Sequence, residues 1–178
     1  GRVSAGVEAE GVDGGPRGSR ELPLDLLEGC VRLAEPCEDE RAGLGGVKGV
    51  WCHEAGGSRQ LTAVSIKQRY PGHSRQAGHL AAMCHAAAYA GKYVVVVDDD
   101  VDVSNLEELM WAVCSRSDPA TSIDFIRDAW STPLDPSIPP EKKLKGDFTN
   151  SRAVIDACRP FYWKDQYPTV NMPLTAPA

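Results

Sequence analysis

Lys92-Tyr-Val-Val-Val-Val-Asp-Asp-Asp-Val-Asp102 is the stretch whose reading decides the fold. Four consecutive valines, entered through Gly91-Lys92 and closed by acids, predict a strand buried on both faces, since a half-exposed strand would alternate apolar with polar. Working outward, Ala77, Leu80, Ala81, Cys84 and Ala88 recur at helical spacing, with Gly91 where a C-terminal cap belongs. An alanine-built face lets that helix lie close against a sheet. Val47 to Cys52 and Leu61 to Ile66 read as strands, so strand, helix and valine strand make a βαβ unit. The predicted class is α/β: a small mixed or mostly parallel sheet with flanking helices and an irregular N-terminal segment.

Downstream, Ser104-Asn-Leu-Glu107 has the spacing of a capping box, with Ser104 as N-cap. Leu106, Leu109, Met110 and Val113 give the helix one apolar stripe, and Asp118-Pro119 stops it. Ile123 to Ile126 and Ala153 to Ala157 are predicted short strands. Residues 131–140 carry four prolines and are expected to be extended and stiff. Residues 1–46 hold more than half of the 17 glycines and are expected to be poorly ordered. Within them Leu24, Leu27, Val31 and Ala34 form one short helical face that Pro36 would end. The domain is expected over 47–168, with a tail over 169–178.

Composition narrows the function. A net charge of −6 and a pI near 5.2 argue against a nucleic-acid partner. No apolar run reaches the length of a membrane span, and no basic-then-apolar leader opens the chain, so the expected location is the cytoplasm. None of the six cysteines forms a C-x-x-C pair, and they read as reduced, small hydrophobes.

Three groups of residues invite a chemical reading. Asp98, Asp99, Asp100 and Asp102 gather at a strand end, where carboxylates suit Mg²⁺ or Mn²⁺ and where a nucleotide-sugar transferase would use Asp98 and Asp100. The same acids also close a strand and favour the next helix N-terminus without any ion. His53-Glu54 is either an acid–base pair or a polar turn, and Gly56-Gly57-Ser58-Arg59 either an anion nest or a plain loop. His79 and His85 lie six apart on a helix and face different ways. Finally, prolines around Thr132 and Leu134 would hold those two side chains rigidly at a surface or pocket wall, or simply connect two elements.

A set of blocks in fixed order resembles one family. Trp51-Cys-His-Glu-Ala-Gly-Gly-Ser-Arg59, Ser65-Ile-Lys-Gln-Arg-Tyr-Pro-Gly-His73, Val94 to Asp102, Leu109 to Val113, Arg116 to Pro119, Trp130-Ser-Thr-Pro-Leu-Asp-Pro136 and Ile155 to Pro160 follow one another as in UbiD-family decarboxylases. The resemblance implies reversible removal of a carboxylate from aromatic, heteroaromatic or α,β-unsaturated acids. It implies prenylated FMN, a divalent metal (Mn²⁺ or Mg²⁺) and K⁺ as cofactors, and a homo-oligomer as the assembly. The family's catalytic Glu-Arg-Glu set includes a Glu-Gly-Pro-Phe-Gly-Glu stretch that does not occur here, so no catalytic residue, metal ligand or cofactor ligand is carried over. The chain therefore resembles the C-terminal domain, expected to be inactive alone. A family contact to the flavin phosphate would fall at Ala86, which cannot make it. The resemblance makes Thr132 and Leu134 the substrate-pocket candidates and treats Asp98 to Asp102 as a structural strand end. A non-catalytic oligomerisation module is the nearest competing reading.

Overall fold

The computed structural model describes residues 46–84 and 89–167. The expectations for the helix at 24–34, for Ala86 and His85, and for the 169–178 tail lie outside those residues. The valine stretch is the central strand of a five-stranded mixed sheet. In chain order the strands are β1 (Val47–Cys52), β2 (Leu61–Ile66), β3 (Tyr93–Asp98), β4 (Ile123–Trp130) and β5 (Thr149–Asp156), arranged β1-β2-β3-β5-β4. β3 runs parallel to β2 and β5, while β1 and β4 pair antiparallel at the two edges.

Helix α1 (His73–Met83) covers one face and α2 (Leu106–Arg116) the other. Because strand side chains alternate, Val94 and Val96 enter the α1 cluster with Ala77, Ala81 and Val154, while Val95 and Val97 enter the α2 cluster with Leu109 and Ala112. This division is why all four valines are buried and no polar residue interrupts them. Each such side chain contributes roughly 1.5–3 kcal/mol relative to exposure. The expected close approach of α1 is real. A Cβ on Gly78 would lie 2.4 Å from Val154 Cγ1 and 2.9 Å from Val96 Cγ2, so the glycine is the point of nearest contact.

Several boundaries differ from the sequence expectations. Helix α1 begins earlier, at His73, and ends at Met83 with Cys84 as its extended C-cap, so Gly91 does not cap it. Leu80, placed on the apolar face by spacing, is exposed, as is Met110 of α2. The α2 N-cap is Asn105, one residue beyond Ser104. Its Oδ1 accepts from the amides of Glu107 and Glu108, and Glu108 reaches back to the Asp102 amide at 3.0 Å. The Ser104 hydroxyl is turned instead toward Asp102, donating to its Oδ1 at 2.7 Å.

β4 runs to Trp130, well past Ile126. A bulge between Ile126 and Ala129, with Asp128 at φ 54°, absorbs the polar Arg127-Asp128 pair and lets pairing resume with β5. β5 accordingly starts at Thr149, before the Ala153 expected, and ends at Asp156. The proline-rich residues are a series of turns, not one extended segment. Asp135 N donates to Thr132 O and Ile138 N to Asp135 O, after which Pro140 opens the short helix α3 (Pro140–Leu144).

Candidate functional site

The parallel strands give the sheet two chemically distinct ends. At the carboxyl end the acidic cluster is present, and arginines occupy it. Asp98 is buried and accepts from Gln68 Nε2 at 2.7 Å, from the Arg159 amide at 2.6 Å and from Arg159 Nε at 3.1 Å. Arg116 grips Asp100 through two nitrogens at 3.0 and 2.7 Å and stands 3.7 Å from Asp98. Asp102 accepts from the Ser104 amide and hydroxyl, which hold its pKa below the usual carboxylate value. A divalent ion at Asp98 and Asp100 would have to displace two guanidiniums, one of them fully buried, so this donor set does not fit the metal that a transferase would need. Among the described residues no group of three or more His, Cys, Asp or Glu is arranged to hold a metal.

The other two sequence candidates at loops resolve in the same direction. His53 is buried, and burial pushes its pKa below the ordinary value, while Glu54 is exposed to solvent, so they form no acid–base pair in a cleft. The Gly56, Gly57 and Ser58 amides donate to the carbonyls of His53, Glu54 and His53, so no anion nest is open there. His79 meets Asp124 across to β4 at 3.1 Å and ties α1 to the sheet edge.

Thr132 and Leu134 lie at the amino end of the sheet, on the turn that follows β4. Thr132 is fully buried, and its Oγ1 accepts from the Leu134 amide at 3.3 Å. Leu134 itself is 74% exposed. The turn that displays it is fixed from beneath by Asp135, which is 0% exposed. Asp135 Oδ1 meets Lys92 Nζ at 2.8 Å and the Ser137 hydroxyl at 2.8 Å, and Oδ2 accepts from Asn150 Nδ2 at 2.9 Å. Burial acts to raise the pKa of this carboxyl, but Lys92, Asn150 and Ser137 together overcome it and hold the group well below the carboxylate range.

The end of β4 that leads into this turn is aromatic. Trp130 is 55% exposed, its backbone oxygen is held by Arg152, and its ring lies 6.3 Å from that of Tyr89. Arg59 stands over the other ring of the pair, 5.3 Å from the Tyr89 centroid. Lys92, Asp135 and Asn150 are far apart in the chain, and no spacing rule joins them. The only sequence signal was Asp135 between two turn-forming prolines. An exposed leucine and tryptophan over a buried ionic support can present an apolar wall to a planar ligand, and supply neither a nucleophile nor a proton-transfer pair.

The C-terminal domain model of 3-octaprenyl-4-hydroxybenzoate carboxy-lyase, the UbiD family, matches residues 34–157. The chain belongs to the UbiD family. It is 32% identical over 133 residues to a gallate decarboxylase of Lactiplantibacillus plantarum, covering 71% of this chain and 26% of that one. It is 36% identical over 98 residues to a phenolic acid decarboxylase of Sedimentibacter hydroxybenzoicus, covering 54% and 19%. The fold is that of the UbiD-class enzyme HmfF from Pelotomaculum thermopropionicum, solved with FMN, at a TM-score of 0.64 and 24% identity over 83% of this chain and 29% of HmfF. The chain thus spans about a fifth to a quarter of the length of the decarboxylases it resembles.

Proposed function

We propose that this UbiD domain serves a reversible, non-oxidative carboxy-lyase acting on aromatic or α,β-unsaturated acids, as the element that walls the substrate pocket. The observation that carries the reading is Leu134, three-quarters exposed on a turn whose neighbouring Asp135 is wholly buried and ion-paired. An apolar side chain held outward on a rigid support is what positioning a flat substrate demands. Thr132 belongs to the same wall as its internal brace. Relatives named for phenolic and gallic acids support the substrate class.

Loss of CO₂ from an sp² carbon leaves an anion, and prenylated FMN supplies the electron acceptor when bound. The described residues do not fit that group or its metal. The carboxylates at the carboxyl end are held by Arg116, Arg159 and Gln68, and the amides of the Gly56-Gly57 turn are already bonded. In this reading prenylated FMN, Mn²⁺ or Mg²⁺ and K⁺ are held by the rest of the enzyme, and this domain excludes water and orients the ring. Self-association through the domain belongs to the same reading, and sedimentation velocity checks it, a dimer being the expected result.

The direct experiment measures CO₂ release by the 178-residue chain supplied with prenylated FMN, Mn²⁺, K⁺ and a panel of aromatic acids. No turnover is expected, and turnover above background sinks the claim that the domain alone is inactive. A chimera tests the positive half. The gallate decarboxylase with its C-terminal domain replaced by this one should turn over, and Leu134→Asp should abolish that activity without unfolding the protein.

A further inference from the structure

A second surface has the makings of a ligand site. A cavity of about 450 Å³ opens over the amino-terminal halves of β3 and β5, within the size range of small-molecule pockets. Its charged lining residues are Lys92, Lys142 and Arg152, and no Asp or Glu lines it, in a chain whose net charge is −6. Lys92 directs one N–H at Asp135, and Lys142 bonds Thr149 and pairs with Asp147, so both ammoniums are positioned from behind by acids outside the lining. Asp135 takes one of the three donors of the Lys92 ammonium, which leaves capacity toward the cavity, while Lys142, engaged by Thr149 O, Thr149 Oγ1 and Asp147, contributes positive charge at the rim.

The floor follows from strand register. Tyr93 on β3 is directly opposite Ala153 on β5, and Ala153 is directly opposite Phe125 on β4. Residues directly opposite project from the same face, so two rings stand on either side of one methyl. With strands about 4.8 Å apart, Tyr93 and Phe125 are separated by roughly 9.6 Å, and a ring between them would lie about 5 Å from each, within the range of aromatic pairs. Tyr93 is 52% and Phe125 68% exposed, so neither ring is occupied by the core. The Asn150 Oδ1 at the cavity's margin is buried and has no partner among the described residues.

We infer that the slot between Tyr93 and Phe125, floored by Ala153 and rimmed by Lys92 and Lys142, binds a planar aromatic anion. Its lining includes neither Leu134 nor Trp130, although Lys92 and Asn150 also brace the Leu134 turn, and the inference does not depend on the carboxy-lyase reading. The probe is 2-naphthoate, titrated into the isotope-labelled 178-residue chain by NMR and calorimetry, with the neutral 2-naphthalenemethanol as comparator. Amide shifts should centre on Tyr93, Phe125 and Ala153. Phe125→Ala should weaken binding about 3- to 10-fold, the worth of one aromatic pair. The neutral probe should bind about 2- to 5-fold more weakly, the worth of an exposed charge contact. Ala153→Leu, which fills the floor, should abolish binding. Since that variant alters a buried strand position, Phe125→Ala and Tyr93→Ala, both at exposed rings, decide the matter if it misfolds. Absence of binding, shifts centred elsewhere, unchanged affinity in the ring variants, or equal affinity for the neutral probe each overturns the inference.

Discussion

At the carboxyl end of β3, acids and arginines turn inward and answer one another. At the amino end, Asp135, Lys92 and Asn150 also turn inward, yet the turn above them pushes Leu134 and Trp130 outward. The first arrangement uses its charges to join elements, because Asp98 is reached by Gln68 after β2 and by Arg159 after β5, with Arg116 of α2 close by. The second uses them to stiffen a display. In open α/β sheets ligands favour the carboxyl ends of the strands. Here the charged groups at that end are already engaged with one another around a cavity of about 280 Å³, and a cavity of about 450 Å³ opens at the opposite end.

The largest effect should come from breaking the carboxyl end. Asp98→Ala leaves Arg159, Gln68 and part of Arg116 without their buried acceptor, and removing one partner of a buried pair costs about 3–5 kcal/mol. Urea denaturation should show that loss. A change under about 1 kcal/mol would mean that water satisfies these groups and that the end is not locked. At the amino end Asp135→Asn keeps the shape and removes the charge beneath the turn. The expected loss is about 1–3 kcal/mol, the range for a buried polar group deprived of its partner.

The pH dependence of Asp135 separates the two ends further. Its folded pKa lies below the unfolded value near 3.9, so the unfolded chain binds the proton first. The stabilisation is complete above about pH 5 and disappears as pH falls through the folded value. Asp135→Asn should remove that part of the acid limb. One buried histidine at each end titrates higher. His53 near the amino end and His73 near the carboxyl end are both depressed by burial, His73 also by Arg69. Their neutral forms belong to the folded state, so stability is full above the unfolded value of about 6.5 and falls as pH drops below it. His73 Nδ1 accepts from the Arg69 amide at 3.3 Å, which places its proton on Nε2 and gives protonation a specific cost. Thermal unfolding between pH 7 and 5 should show the slope, and the His53→Gln/His73→Gln pair should flatten it.

Much of the first arrangement was legible in the sequence and little of the second. Four valines could only be a doubly buried strand, and an alanine-and-glycine helix could only pack closely on it. The acids at Asp98 to Asp102 were legible as a strand end, but their arginine partners were not, because Arg116 and Arg159 reach them through tertiary folding. Periodicity placed Leu80 and Met110 inward, yet each is exposed: Ala77, Gly78 and Ala81 of α1 and Leu109 and Ala112 of α2 supply the packed face. The prolines of 131–140 fixed individual φ angles without revealing that Asp135 hydrogen bonds would fold them into turns. The Lys92–Asp135–Asn150 support depends on three segments meeting, and that meeting is decided by the β4–β5 register and its bulge.

The smallest expected change in stability carries the most about function. Leu134 touches solvent over most of its surface, so Leu134→Asp should alter unfolding free energy by no more than about 0.5 kcal/mol, as for other surface substitutions. Asp135→Asn, by contrast, should lower stability and soften the turn together. If the turn is a wall for a flat acid, the two variants should separate in the chimeric decarboxylase. Leu134→Asp should remove turnover at unchanged melting temperature, because a carboxylate facing a carboxylate substrate repels it. Asp135→Asn should raise KM more than it lowers kcat, since it loosens a positioning contact shared by ground and transition states. Equal, proportionate losses of stability and activity in both variants would make the amino end another structural lock, and the contrast between the two ends would disappear.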